Sequence, residues 1–109
     1  MTDPEDNEGS AQAQILMDAD AAFRVSARRN RLLAHWAAEQ MDLTSEESDA
    51  YSKAVIQSDF EGAGDEDVIR KVLGDLTAAG VEVSDAEIRE ALAHKTVDAK
   101  RQIIQASNS

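Results

Sequence analysis

The sequence predicts an all-α fold: an antiparallel four-helix bundle with a long N-terminal helix and a disordered acidic N-terminus. Apolar residues recur at spacings of three and four along most of the 109 residues, as on one face of a helix. Helix-capping residues precede three of these stripes, and no alternating run of β-branched residues indicates a strand. Amphipathic helices joined by short loops bury their stripes against one another, which favours a bundle.

The first helix is predicted over residues 11–41, because nothing in that range breaks a helix. About 30 helical residues span ~45 Å, more than the later helices, so residues 11–22 are expected to be mobile and regulatory. Residues 1–10 are polar and acidic and are predicted to be disordered. The apolar stripe comprises Ile15, Ala19, Phe23, Ala27, Leu33, Trp36 and Ala37.

The second helix is predicted over residues 45–60. Thr44 and Glu47 have the spacing of a capping box, in which each side chain accepts a hydrogen bond from the other residue's backbone N–H. Gly62 and Gly64 favour a turn after the helix. The expected buried stripe comprises Tyr51, Ala54, Val55 and Phe60.

The third helix is predicted over residues 66–79, with Asp65 as its N-cap. Gly80 fits the left-handed position that follows a helix, and Val81 can then contact Leu76 as in a Schellman motif. The stripe comprises Val68, Ile69, Val72, Leu73 and Leu76.

The fourth helix is predicted over residues 84–105, and residues 107–109 are expected to be a tail. Ser84 and Glu87 form a second capping box, and Val83 with Ile88 supplies a hydrophobic staple. The stripe comprises Ile88, Leu92, Ala99, Ile103 and Ile104.

The composition fits one bundle domain, residues 11–106, with an aliphatic core. Hydrophobic residues make up 42% of the chain and aromatic residues 4%, so Ala, Leu, Ile and Val fill most of the interior. The apolar runs are far shorter than the roughly 20 residues that span a bilayer, which predicts no direct membrane insertion. The absence of cysteine indicates a reducing, cytoplasmic setting.

No catalytic or metal site is predicted, so the chain is expected not to be an enzyme and to require no cofactor. Neither His35 nor His94 lies in a nucleophile motif. The glycines of residues 62–64 lack the Lys-Ser/Thr that completes a phosphate-binding loop. The acidic triplet at residues 65–67 lacks the spacing of a calcium loop and is better explained as a helix N-terminus.

The charge distribution singles out two basic islands in an acidic protein. The net charge of −11 disfavours nucleic acid as a partner. Residues 1–20 carry six acids and no base, whereas residues 21–41 sum to +3 and residues 91–109 to +2. In an up-down-up-down bundle the first and fourth helices are antiparallel neighbours, which places Arg24 to Arg28 level with about Val97 to Arg101.

The two islands are therefore expected to form one patch that suits phosphate or an acidic protein surface. The candidate phosphate-binding residues are Arg28, Arg29, Arg31, Lys100 and Arg101. Trp36 is a candidate for stacking on a base, although packing in the core is the commoner role for such a residue. A solvated helix face with neighbouring acids is the alternative interpretation of the arginines.

Several motifs in order resemble the zeta subunits of alphaproteobacterial F-type ATP synthases. The resemblance covers about residues 22–104 and is carried by ARRNRLL at 27–33, WAAE at 36–39, DFE at 59–61, GDEDVIRKVL at 64–73 and AKRQI at 99–103. It implies a four-helix bundle that binds the catalytic head of the synthase and blocks ATP hydrolysis through its N-terminal segment. It also implies ADP or ATP as a regulatory ligand on the bundle, and a cytoplasmic place peripheral to the inner-membrane synthase.

The N-terminal segment departs from the inhibitory members of that family, which are rich there in Phe, Lys, Arg and Glu. Residues 1–22 contain no Phe and no base. The candidate partner-binding residues are Ile15, Leu16, Met17 and Phe23. We therefore expect weaker inhibition and a chain that is monomeric when free. The alternative is a stand-alone nucleotide-sensing or acidic protein-interaction module.

Overall fold

The computed structural model describes residues 19–61 and 65–108, and every element in those ranges is helical. The helices are α1 (Ala19–Gln40), α2 (Ser45–Glu61), α3 (Asp65–Ala78) and α4 (Asp85–Asn108). The predicted all-α bundle is thus confirmed, with most helix ends within one residue of their predicted places. The helix predicted for residues 11–18, the disorder predicted for residues 1–10 and the cluster Ile15-Leu16-Met17 lie outside the described residues.

Two predicted ends need correction. α4 continues to Asn108, three residues beyond its predicted end, and takes in residues 107–108 of the predicted tail. Asp65 is the first residue of α3 rather than the residue before it. Its carboxylate accepts a hydrogen bond from the Arg29 guanidinium in α1, so a tertiary contact engages the side chain that the local sequence assigns to capping.

Both predicted capping boxes are formed. The Glu47 N–H donates to Thr44 Oγ1 at 3.2 Å, and the Thr44 N–H donates to Glu47 Oε1 at 2.9 Å. The Glu87 N–H donates to Ser84 Oγ at 3.1 Å, with the reciprocal bond at 3.4 Å. These bonds satisfy backbone donors that a helix start otherwise exposes.

The Schellman ending of α3 is also confirmed, and α1 ends in the same way. Gly80 has φ of 82°, its N–H donates to the Thr77 carbonyl at 3.0 Å, and the Val81 N–H donates to the Leu76 carbonyl at 2.9 Å. At the end of α1 the left-handed residue is Asp42, with φ of 57°. Because this position is not a glycine, the motif was not predicted from the sequence.

The central element is α1, which packs along α2 on one side and α4 on the other. α3 contacts all three helices more sparsely, and the described parts of α2 and α4 do not meet. The main core joins α1 to the other three helices through Leu33, Ala34, Ala37, Val55, Val68, Ile69, Val72, Leu76, Ile88 and Leu92. A smaller cluster of Val25, Ala99 and Ile103 joins α1 to α4. This arrangement leaves part of α1 open between α2 and α4.

The predicted stripes need two changes. Phe23 is 52% exposed, and Val25 occupies the buried position near the start of α1. Ala54 is exposed beside buried Val55. A helix of 3.6 residues per turn allows either of two adjacent stripes when apolar residues are this frequent, and packing selects one of them. The side chain of Phe60 lies outside the described residues.

Candidate functional site

A groove of about 250 Å³ lies on the open part of α1. Its α1 side carries Arg24, Arg28 and Arg31, which share one helix face because they are spaced by four and three residues. Apolar residues complete the lining: Phe23 and Ala27 from α1, Ile56 from α2 and Ile103 from α4. We call this feature the arginine groove.

Two of the three guanidinium groups are not neutralised by any residue in the described part of the chain. Arg28 Nη1 donates to Gln102 Oε1 at 3.2 Å, a neutral acceptor on α4. Within residues 19–61 and 65–108, neither Arg28 nor Arg31 forms an ion pair, and both are exposed. Arg24 pairs with Asp20 one turn away at 3.0 Å, an exposed pair of the kind worth about 0.3–0.5 kcal/mol. The groove therefore presents net positive charge to the solvent.

The bond from Arg28 to Gln102 also fixes the register of α1 against α4. In the predicted antiparallel register Arg28 lies level with about Val97, so the observed partner Gln102 is five residues further along α4 than predicted. The two predicted basic islands do approach each other, but α4 contributes Ile103 to the groove rather than a base. Lys100 and Arg101 are exposed and do not line the groove, and Arg101 lies 3.6 Å from Asp98.

Arg29 takes a structural place rather than one in the groove. It is 8% exposed, and its Nη1 lies 2.8 Å from Asp65 Oδ1 at the start of α3. Its Nε donates to the Asn30 side-chain oxygen at 3.0 Å, and Asn30 is fully buried. Because one residue advances a helix by about 100°, Arg28 and Arg29 face different neighbours. Arg29 therefore fastens α3 to α1.

Trp36 is partly buried and packs against the main core. This position fits the core role that the sequence also allowed for Trp36, and not stacking on a base. The aromatic ring that lines the groove belongs instead to Phe23, which is half-exposed. Sequence reasoning did not assign Arg24, Ile56 or Phe23 to a nucleotide site. The spacing of Arg24, Arg28 and Arg31 was the one signal that could have grouped the arginines of this face.

Other polar contacts connect α3 to its neighbours. The Tyr51 hydroxyl donates to Asp75 Oδ2 at 2.9 Å, and burial, reinforced by that carboxylate, raises the pKa of the phenol well above its usual value. Arg89 donates to both carboxylate oxygens of Glu66, at 2.7 and 2.8 Å, and these hydrogen bonds lower the pKa of Glu66. Both contacts link α3 to a neighbouring helix and are therefore interpreted as structural.

The described ranges contain neither a metal site nor a membrane-spanning helix. No group of three His, Cys, Asp or Glu side chains there converges as metal ligands. None of the described helices combines the length and the apolar character required to cross a membrane. The arginine groove is thus the feature with a chemistry suited to binding: guanidinium donors for an anion, beside an apolar wall and an aromatic ring.

Comparisons with known proteins match the chain to a family and to a solved structure. A family model described as ATPase inhibitor subunit zeta matches residues 1–102. A structure titled as the solution NMR structure of the protein is 40% identical, with a TM-score of 0.68, and the match covers 77% of this chain and 95% of that chain. No curated protein matches the sequence significantly.

Proposed function

The chain belongs to the family of the ATPase inhibitor subunit zeta, and from this membership we propose that it docks on the catalytic head of the F-type ATP synthase and slows ATP hydrolysis. The family is regulatory, so the chain is a regulatory subunit associated with ATP synthase rather than the catalyst. A cytoplasmic position, peripheral to the membrane part of the synthase, follows from docking on the head. The family match is the observation that carries this proposal.

The inhibitory contact is assigned to residues 1–22 together with the start of α1. Ile15, Leu16 and Met17 supply its apolar anchors, and Phe23, 52% exposed, continues them onto the bundle. Burying three such aliphatic side chains contributes ~4–6 kcal/mol. Ordering about ten residues costs roughly 10 kcal/mol or more. Inhibition is therefore expected to be weaker than in members with aromatic and basic anchors, which are the usual hot spots of interfaces.

ADP or ATP is proposed as a regulatory ligand in the arginine groove. Arg28 and Arg31 would contact the phosphates, with Arg24 at the edge, because planar guanidinium groups donate two parallel hydrogen bonds to such anions. Phe23 and the Ile56 wall offer an apolar surface for the adenine ring. Arg29 is paired with Asp65, so we assign it a structural role rather than a contact with the ligand.

A chimera tests the inhibitory role. ATP hydrolysis by the synthase of the source organism is measured with this protein and with a chimera that carries a basic-aromatic inhibitory segment ahead of residues 23–109. We expect weak inhibition by the natural chain and stronger inhibition by the chimera. Equal and potent inhibition would show that the acidic N-terminus suffices. No inhibition or binding by either protein would favour a stand-alone nucleotide-sensing or acidic protein-interaction module.

Two double variants with the same change of charge test the ligand site. The first carries Arg28→Glu and Arg31→Glu in the groove, and the second carries Lys100→Glu and Arg101→Glu on α4. NMR titration with ADP should show shifts at groove residues in the natural chain and in the α4 variant, but not in the groove variant. Shifts lost in the α4 variant alone would move the site to Lys100 and Arg101. Shifts retained in both would refute both assignments.

A further inference from the structure

We propose that the acidic residues 3–8 of this same chain dock into the arginine groove, where they compete with an anionic ligand. Docking itself depends on the geometry and charge of the bundle. The competition with nucleotide, by contrast, rests on the function proposed above. The inference follows from three observations: where uncompensated positive charge lies, what the N-terminus carries, and how far the chain can reach.

The uncompensated arginine charge is concentrated in the groove. All seven arginines of the chain lie in the described ranges. Arginines elsewhere on the bundle are paired with carboxylates: Arg29 with Asp65, Arg70 with Asp67, Arg89 with Glu66 and Asp85, Arg101 with Asp98. The two arginines outside ion pairs with described residues are Arg28 and Arg31, and both line the groove.

The N-terminus carries the complementary charge. Asp3, Glu5, Asp6 and Glu8 are four carboxylates within six residues, and no base occurs in residues 1–20. A carboxylate matches the two-donor edge of a guanidinium group, as a phosphate does. Elsewhere in the chain the surface is mostly acidic, since residues 42–90 carry fourteen acids against four bases. The acidic segment is repelled there, whereas the groove is a favourable surface for it.

The chain is long enough to make this contact. From Ala19 to Arg31 the path along α1 is twelve residues, or about 18 Å at the usual helical rise. The ten residues 9–18, when extended rather than helical, can span up to about 33 Å. A tether of this length gives an effective concentration in the millimolar range, enough to populate a weak contact between exposed charges.

Docking would connect the two proposed activities of the protein. While residues 3–8 lie on the bundle, the segment that precedes α1 is folded back and is kept from the synthase. An anion that takes Arg28 and Arg31 displaces the acidic residues and releases the segment. High salt acts in the same direction by screening exposed charges.

Paramagnetic relaxation measures the docking directly in the full chain. The chain has no cysteine, so Thr2→Cys provides a single site for a nitroxide label. We expect the amide signals of Ile56 and Ile103, which lie on α2 and α4 across the groove, to be broadened at low salt and restored at high salt. Broadening confined to the start of α1, explained by proximity along the chain, would overturn the proposal.

A matched pair of labelled variants tests the role of charge. The first carries Asp3→Asn, Glu5→Gln, Asp6→Asn and Glu8→Gln and should lose the broadening. The control neutralises four exposed acids elsewhere, Glu39→Gln, Glu46→Gln, Asp49→Asn and Glu82→Gln, and should keep it. If the broadening persisted in the first variant, the charge argument would be refuted. A further control mixes spin-labelled chain at natural isotope abundance with isotope-enriched chain that carries no spin label. This mixture must show no broadening, since broadening there would assign the contact to a second copy.

Inorganic pyrophosphate tests the competition separately. If the acidic segment occupies half to two thirds of the grooves, neutralising residues 3–8 should tighten pyrophosphate binding about two- to threefold, because apparent affinity scales with the free fraction. The control variant should bind as the natural chain does. Equal affinity in all three would refute competition. Absence of pyrophosphate binding alongside clear broadening would refute the nucleotide site and leave the docking standing.

Discussion

The ion pair between Arg29 and Asp65 gives the sharpest prediction about stability. The change is Asp65→Asn, which keeps the shape of the side chain and removes its charge. The Arg29 side chain is 9% exposed and that of Asp65 58% exposed, with 2.8 Å between Nη1 and Oδ1. The substitution therefore removes the Asp65 carboxylate from a nearly buried guanidinium group.

The exposures set the expected size of the effect. Removing one partner of a fully buried ion pair costs about 3–5 kcal/mol, whereas exposed pairs contribute about 0–1 kcal/mol. Because solvent reaches Asp65 but scarcely reaches Arg29, we expect an intermediate loss of about 1–3 kcal/mol in the free energy of unfolding. For a domain of this size, each 1 kcal/mol corresponds to about 4–8 °C in Tm.

Urea denaturation followed by the fluorescence of the single Trp36 provides the assay. The matched control is Asp98→Asn, since Asp98 lies 3.6 Å from an Arg101 side chain that is 63% exposed. This control should change stability by less than about 0.5 kcal/mol. Equal losses in the two variants would refute the argument that burial of Arg29 makes its partner important.

A double-mutant cycle with Arg29→Met separates the pair from other effects. Asp65 also lies in the first turn of α3, where a negative charge favours the helix by about 0.3–1 kcal/mol. That contribution is present whether or not Arg29 is, so it cancels in the coupling energy. We expect a coupling of about 1 kcal/mol or more, and a coupling near zero would contradict the ion-pair interpretation.

Three further predictions concern helix ends and one buried phenol. The pKa of Tyr51 lies above its ordinary 10.0, so the buried neutral phenol stabilises the fold below about pH 10, and this stabilisation is lost as the pH rises further. Tyrosinate absorbance should therefore appear only together with the unfolding seen by circular dichroism, and at a lower pH in an Asp75→Asn variant. Asp42→Gly should raise the free energy of unfolding by about 0.5–1 kcal/mol, because the residue has φ of 57°; a loss in urea denaturation would contradict this. Ser84→Ala should cost about 1 kcal/mol in the same assay, since the Glu87 N–H loses its acceptor, whereas Ser45→Ala should change little.

The features predicted well are those determined by neighbouring residues. A capping box needs two side chains three residues apart, as in Thr44 with Glu47, and the structure forms both predicted boxes. Gly80 likewise signals its own left-handed conformation. Asp42 escaped prediction because an aspartate takes that conformation only when the surrounding turn requires it.

The packing of the helices could not be derived in the same way. Local sequence indicates a stripe but not the partner that covers it, so Phe23 was assigned to the interior in place of Val25. The predicted helix ranges also gave no indication that α1 is central or that α2 and α4 stay apart. That separation is what opens the groove.

The arginine cluster shows how one helix divides a single sequence motif between two tasks. Arg28, Arg29 and Arg31 lie within four residues, and composition treats them as one patch. Because each residue is rotated by about 100° from the one before, Arg29 and Asn30 face the interior, where Asp65 pairs with the Arg29 guanidinium group. The same rotation leaves Arg28 and Arg31 on the open face, one and two turns beyond Arg24. The buried arginine pairs with α3, and no α3 residue lines the groove. The charges that remain uncompensated are thus the ones on which a regulatory anion, or the acidic N-terminus, can act.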